Sequence, residues 1–428
     1  MVQTNIEFQN FLQGLFKYII EQNPEAIHYI QEIIYEGKYG RRLPGNNGKI
    51  PAHDGNVNDV RVSQDGSMIA SASVDQTVKV WRKQEDDIFL PTSWAIIENL
   101  NIKHNSPVWS VSFSYDGKLI ASGDADGIIK IKSINDNSVD IEIQPKLDDE
   151  EKQEQIVLKL MFSPDGKSIA SANWDNRVRV WRLLDNNQYD PDPIEIGDHQ
   201  SKVYGVCFSY DGSYIASGGG DNKIKIWKVA DTNLTNQEPY QSLEYQSENF
   251  ADAANAVFDV KFSVDNQKII AAYQDKSVRI WEIETPQVLQ TCQHQDPVYG
   301  VSFSADSTKL ASGSKDGFVR IWKTNDYNNS TAKPIAEFWH GMQINSVSFS
   351  HDSKFIASGS DDKNVRIWDT KHIGESREEL VKRLSEDAYN YLMNIDGLKV
   401  LDMLTSVFSV SMNQPNTFTS LLSSWFNK

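Results

Sequence analysis

One phrase of thirteen residues returns along this chain, and it restricts the possible folds more than any other feature. It reads IASASVDQTVKVW from Ile69 to Trp81, IASANWDNRVRVW from Ile169 to Trp181 and IASGGGDNKIKIW from Ile215 to Trp227. LASGSKDGFVRIW follows from Leu310 to Trp322, and IASGSDDKNVRIW from Ile356 to Trp368. Two copies are degraded. Ile120 to Lys132 ends on Lys132 in place of tryptophan, and Ile269 to Trp281 has Ala271 in place of serine. Each copy follows a short apolar run and a turn, such as FSYDG at Phe113 or FSPDG at Phe162. In five copies a histidine stands twelve residues before the turn aspartate, as His53 before Asp65 and His199 before Asp211; copies three and five carry Gln153 and Ala253 there. Fixed internal spacing with variable connectors marks one supersecondary unit copied seven times.

The local physics of that unit is β. Val108–Phe113 (VWSVSF) and Thr77–Trp81 (TVKVW) alternate in polarity and are rich in β-branched and aromatic residues. Asp-Gly pairs punctuate them as tight hairpin turns. Three antiparallel strands per unit follow, with a fourth expected in each connector. So small a sheet cannot bury both faces alone, whereas seven packed radially can, leaving only short protected edges.

These residues resemble WD-repeat β-propellers, in the style of the bacterial members, from about Ile50 to Thr370. The resemblance implies an all-β seven-bladed propeller. It also implies a hydrogen-bonded network of histidine, serine, aspartate and tryptophan in each blade. The matching positions are His53, Ser71, Asp75 and Trp81 in copy one, and His199, Ser217, Asp221 and Trp227 in copy four. Copy six supplies His294, Ser312, Asp316 and Trp322, and copy seven His340, Ser358, Asp362 and Trp368. Copy two keeps His104, Ser122 and Asp126; copy three keeps Ser171, Asp175 and Trp181; copy five keeps only Asp275 and Trp281. Blades two, three and five are therefore expected to be the less rigid, and Asp275 to matter less than Asp221 or Asp316.

Three regions are expected: N-terminal helices over 1–37, the propeller over 38–370, and a helical extension over 371–428. Apolar stripes at Phe8–Ile20, Glu378–Met393, Leu398–Val410 and Phe418–Phe426 carry the helical readings. These extensions would pack on the propeller, dimerise or meet a partner. Copy seven ends after three strands, so its outer strand must come from upstream of His53, within Lys38 to Pro51.

Charge and composition narrow the function. Lys plus Arg is 42 against 59 Asp plus Glu, a net −17, which disfavours nucleic acid and anionic membrane. No run is long and apolar enough to span a membrane, and the first ten residues do not read as a secretory signal. Two cysteines, Cys207 and Cys292, suit a reducing, cytoplasmic setting. No metal or cofactor site is expected: the repeated histidines sit one per blade around a circle and cannot converge. Gly166-Lys167-Ser168 imitates the end of a phosphate loop, but Met161 stands where its first glycine is required.

Positions the scaffold leaves free carry the functional signal. In the family, two positions per blade line the upper rim of the central channel. The resemblance places Asn58, Trp109, Leu158, Tyr204, Phe258, Tyr299 and Asn345 in the inner-strand series, and Trp174, Lys315 and Asp361 in the turn series. Aromatics at a channel mouth suit a protein or peptide anchor. The expected function is a non-catalytic interaction scaffold that binds a protein or peptide at its upper face. The alternative is a regulatory sensor working with a signalling ATPase or kinase; a propeller enzyme is less favoured, for want of convergent acid–base chemistry.

Overall fold

In a computed structural model, residues 50–370 are described, apart from parts of the connectors (85–93, 145–155, 185–188, 230–237, 246–254, 326–331 and residues 99, 101 and 137). The helical stripes expected before residue 38 and after residue 370 lie outside the described residues.

Each repeat forms one antiparallel sheet, and the seven sheets make a propeller. Blade four is representative: Val203–Phe208 innermost, then Tyr214–Gly219, Lys223–Lys228 and the outer Gln241–Glu244. The outer strand does come from the connector in blades one to six. In blade one it is split into two short pieces, Trp94–Ile96 and Ile102–Lys103, both paired with Thr77–Lys83.

The outer strand of blade seven is Ile50–Pro51, which pairs antiparallel with Asn364–Asp369 in the register Ile50↔Val365 and Pro51↔Asn364. Proline is tolerated there because an outermost strand leaves one edge unpaired. The amide of His53 then donates to the Lys363 carbonyl at 3.1 Å. The seam is also apolar: Ile50, Val57, Val60 and Trp94 pack with Phe355, Val365 and Ile367 in one buried cluster. Gly359 permits the closest approach, since a Cβ there would lie 2.6 Å from a Val57 methyl.

The IAS phrase is the second strand of each blade, covered on both faces by neighbouring blades. That is why Met68–Ser73 and Phe355–Ser360 are buried at every position and why small residues dominate there. The turn before it is built by its serine and aspartate. Ser63 Oγ donates to Asp65 at 2.6 Å and accepts from the Met68 amide at 2.9 Å. The same pair recurs at Ser209 and Asp211. The residue after the aspartate has positive φ in every copy, which explains glycine at 66, 117, 166 and 212. Gly166-Lys167-Ser168 is such a turn.

Candidate functional site at the rim and channel of the propeller

Two kinds of blade exist, separated by the residue two places before the end of the repeated phrase, where tryptophan stands in every copy but the second. Blades one, two and four carry lysine there. Lys79, Lys130 and Lys225 each donate to a backbone carbonyl, of Ala52, Lys103 and Asp198 respectively. The histidine is then free to bridge aspartate and serine. His53 meets Asp75 at 2.8 Å and Ser71 at 2.7 Å; His199 meets Asp221 at 2.8 Å and Ser217 at 2.7 Å. Blades three, five, six and seven carry arginine, which binds the turn aspartate directly. Arg179 reaches Asp175 at 2.6 Å, Arg279 reaches Asp275 at 2.5 Å, Arg320 reaches Asp316 at 2.5 Å and Arg366 reaches Asp362 at 2.6 Å. The histidine is pushed away: His294 stands 3.3 Å from Asp316, and His340 3.5 Å from Asp362.

The expected four-residue chain is complete only in blade six, where Trp322 Nε1 also donates to Ser312 at 2.8 Å. Two corrections follow for the other blades. In blade four the indole nitrogen of Trp227 is buried without a partner. It faces Gly197 of blade three, where a Cβ would lie 2.8 Å from it. In blade seven Trp368 donates to Ser358, but His340 Nε2 has no partner, because Arg366 bonds both His340 Nδ1 and the His340 carbonyl.

Copies two and five also depart from expectation. His104 binds Asp124 at 2.8 Å, not Asp126. Asp124 also accepts from the amides of Asp126 and Ile128, leaving Asp126 exposed. Asp275 is not deprived of partners. Asn255 Nδ2 donates to it at 2.8 Å and Ser277 Oγ at 2.5 Å, besides Arg279. Tyr273 replaces the missing serine, its hydroxyl accepting from Trp281 at 2.8 Å. In blade three Asn173 and Trp181 both bond Ser171 without a histidine.

These pairs shift protonation as burial and charge require. Burial lowers His53, His294 and His340 below the ordinary histidine value, although the aspartates pull the other way. Burial opposes ionisation of Asp316 and Asp362, but histidine and arginine outweigh it and hold both well below the usual carboxylate range.

At the rim, a register shift marks the innermost strand of every blade. Its second residue is left out of the ladder: Asn58, Trp109, Leu158, Tyr204, Phe258, Tyr299 and Asn345. A β-bulge of this kind turns a side chain out of the pleat. Tyr204, Phe258 and Tyr299 form a continuous string, with ring centroids 5.1 Å and then 4.9 Å apart. Lys202 Nζ lies 3.1 Å from the Trp174 ring centroid. Lys315 is exposed and Asp361 half-buried. Leu158, by contrast, is only 8% exposed and acts as filler beneath the rim. Asn345 is engaged within the ring, donating to the Val57 carbonyl at 3.0 Å and to Asp361 at 2.8 Å. Asn58 likewise donates to Val108.

Below the rim lies a charge cluster that the sequence reading missed. Asp59, fully buried, accepts from Lys159 of blade three at 2.9 Å and from Ser110 and Ser346. Asp259 pairs with Lys261 at 2.6 Å. Burial opposes ionisation of both carboxylates, yet Arg61, Lys159 and Lys261 hold them below the usual range. For Asp59, Lys159 and Asp259 the signal in the sequence is charge at a register filled by serine or glycine in the other blades. No metal-binding cluster occurs among the described residues. Both cysteines are unpaired and buried, with burial pushing their thiols up to about 12.

The fold thus defines a seven-bladed β-propeller. The sequence model of the family described as "WD domain, G-beta repeat" matches residues 46–82, 98–131, 150–182, 194–228, 247–282, 286–323 and 332–369, more than half of the chain. The chain belongs to that family, whose propellers generally serve protein–protein interaction rather than catalysis. It is 36% identical over 97 residues to "Probable cytosolic iron-sulfur protein assembly protein 1" of Vanderwaltozyma polyspora, covering 23% of this chain and 26% of that protein. It is 33% identical over 87 residues to "Apoptotic protease-activating factor 1" of Rattus norvegicus, covering 20% of this chain and 6% of that protein. The chain thus spans only a small part of either relative. The WD40 β-propeller domain of Doa1 superposes with a TM-score of 0.59 at 21% identity, over 76% of this chain and 97% of that domain. That likeness speaks for the fold alone.

Proposed function

We propose that the protein is a non-catalytic scaffold of a reducing, cytosolic setting. It would capture a protein or peptide on the face that carries the bulged residues. One observation supports this most: the bulge recurs in all seven blades, and in blades two, four, five and six it presents Trp109, Tyr204, Phe258 and Tyr299. Stacked rings at a surface offer large contact area with little rotamer entropy to lose. Trp174 extends this apolar arc, while Lys315 and Asp361 add opposite charges beside it to fix orientation. Leu158 and Asn345 support the arc from within.

The test is quantitative affinity capture with the full chain, comparing the wild type with a Tyr204→Ala/Tyr299→Ala variant and with Tyr115→Ala at the other face. The reading expects a set of partners depleted at least tenfold by the double variant and unchanged by Tyr115→Ala. Identical sets from all three proteins would refute it.

A further inference from the structure

The opposite mouth of the channel holds a cavity of about 190 Å3. It is formed by the far ends of the innermost strands and the turns that follow them, so it lies at the other end of those strands from the bulged residues. Its lining is aromatic and small-polar, with Tyr115 and Tyr210 at its edge, both partly exposed. Two cations line it, Arg61 and Lys261, and no carboxylate does. On a chain of net charge −17 that composition is unusual.

The charges behind the lining do not balance. Arg61, Lys159 and Lys261 face two carboxylates, Asp59 and Asp259. Lys159 and Lys261 hold close ion pairs, at 2.9 Å and 2.6 Å. Arg61 does not: its Nε is 3.7 Å from Asp59, and its guanidinium makes no hydrogen bond among the described residues, although the side chain is only 15% exposed. Lys261 registers the surplus as well. Burial, and then the neighbouring Arg61 and Lys159, lower it below the ordinary lysine value against the pull of Asp259. A half-buried guanidinium fork that is only loosely paired and makes no hydrogen bond is suited to a carboxylate, which it can hold by two parallel charge-assisted bonds.

We propose that this cavity is a binding site for a small organic carboxylate, its anionic end on Arg61 and its apolar body among the rings. A single negative charge would balance the cluster, and the volume exceeds the ~150 Å3 that admits benzene in an apolar cavity. This site is independent of the rim surface and can stand or fall separately.

Benzoate is the probe, with benzamide as its uncharged isostere, added to the full chain at low ionic strength. Ligand-observed NMR and thermal melting provide the readouts. Benzoate should bind and raise the melting temperature, benzamide should bind at least tenfold more weakly, and Arg61→Gln should weaken benzoate at least tenfold. Arg61→Lys should recover part of the loss. Equal binding of benzoate and benzamide would reduce the site to an apolar hollow and overturn the proposal, as would unchanged binding to Arg61→Gln or no benzoate binding at all. Inorganic phosphate displacing benzoate at lower concentration would overturn the choice of a carboxylate. Should Arg61→Gln fail to fold, the benzoate–benzamide comparison on the wild-type chain decides alone.

Discussion

Blades four and six differ at one long side chain, and the difference reorganises the interior of each. In blade four Lys225 ties off a backbone carbonyl, and His199 bridges Asp221 and Ser217 at 2.8 and 2.7 Å. In blade six Arg320 takes Asp316 for itself, and the histidine–aspartate separation opens to 3.3 Å. The aspartate therefore does different work in the two. In the lysine blade it orients an imidazole. In the arginine blade it shares with Glu337 the neutralisation of a guanidinium that is 8% exposed. An ammonium satisfies itself on one carbonyl, whereas a planar guanidinium needs several acceptors and competes for the carboxylate. Blade five extends the point: without histidine or serine it keeps a partnered aspartate through Arg279, Asn255 and Ser277.

Both kinds of blade depend on a closed ring, and opening the ring should have the largest effect. Removing residues 1–52 deletes Ile50–Pro51 and exposes the edge of blade seven. The melting temperature should fall well below that of a chain lacking only 1–47. Equal melting of the two would show that the strand does not close the ring.

Next in size is Asp316→Ala, which takes the carboxylate from His294 and leaves Arg320 paired with Glu337 alone. Breaking a buried ion pair from one side costs about 3–5 kcal/mol, and Glu337, still 2.6 Å from Arg320, holds the loss to the lower end. Asp221→Ala removes hydrogen bonds to the His199 ring and the Gln200 amide, at about 1–3 kcal/mol. Denaturant unfolding of both variants decides, and equal losses would dissolve the distinction between blade types. Asp275→Ala sharpens it. The ion pair places its loss beside that of Asp316→Ala, while the repeat pattern alone predicts the smallest loss of the three.

Acid should reveal the histidines. His53, His294 and His340 have folded pKa values below the ordinary histidine value, so the unfolded chain binds more protons near and below pH ~6.5. Stability should therefore rise with pH through that region and fall on acidification. A second loss below pH ~4 should follow as Asp316 and Asp362, depressed in the fold, take up protons. His340→Gln should flatten the first phase; an unaltered profile would mean that His340 titrates normally in the fold.

The smallest expected effect is Arg366→Lys. It should convert blade seven to the lysine pattern, with His340 closing onto Asp362 and Ser358. Stability should change by no more than about 1 kcal/mol, since one set of hydrogen bonds replaces another. A crystal structure of the variant with His340 unmoved would break the comparison.

Much of this was legible in the sequence. Seven copies of one phrase determined the number of blades, because a sheet that cannot bury itself must stack on its neighbours. The count of three strands after Ile344 called for an outer strand from before His53. The alternation of KVW, RVW, KIW and RIW was also in plain view, but its meaning was not, since lysine and arginine share charge and propensity and differ only in what they reach. Asp124 rather than Asp126 binds His104 for a similar reason: both stand in one turn, and only the path of the hairpin puts the earlier carboxylate next to the imidazole. The channel lay furthest from the sequence. Asp59 and Lys159 are 100 residues apart and belong to blades that are not neighbours. A repeat specifies each blade and its next neighbour; contacts across the ring's centre exist only once all seven are in place. The loosely paired guanidinium of Arg61 and the cavity it faces follow from that closure, so only the tertiary structure decided them.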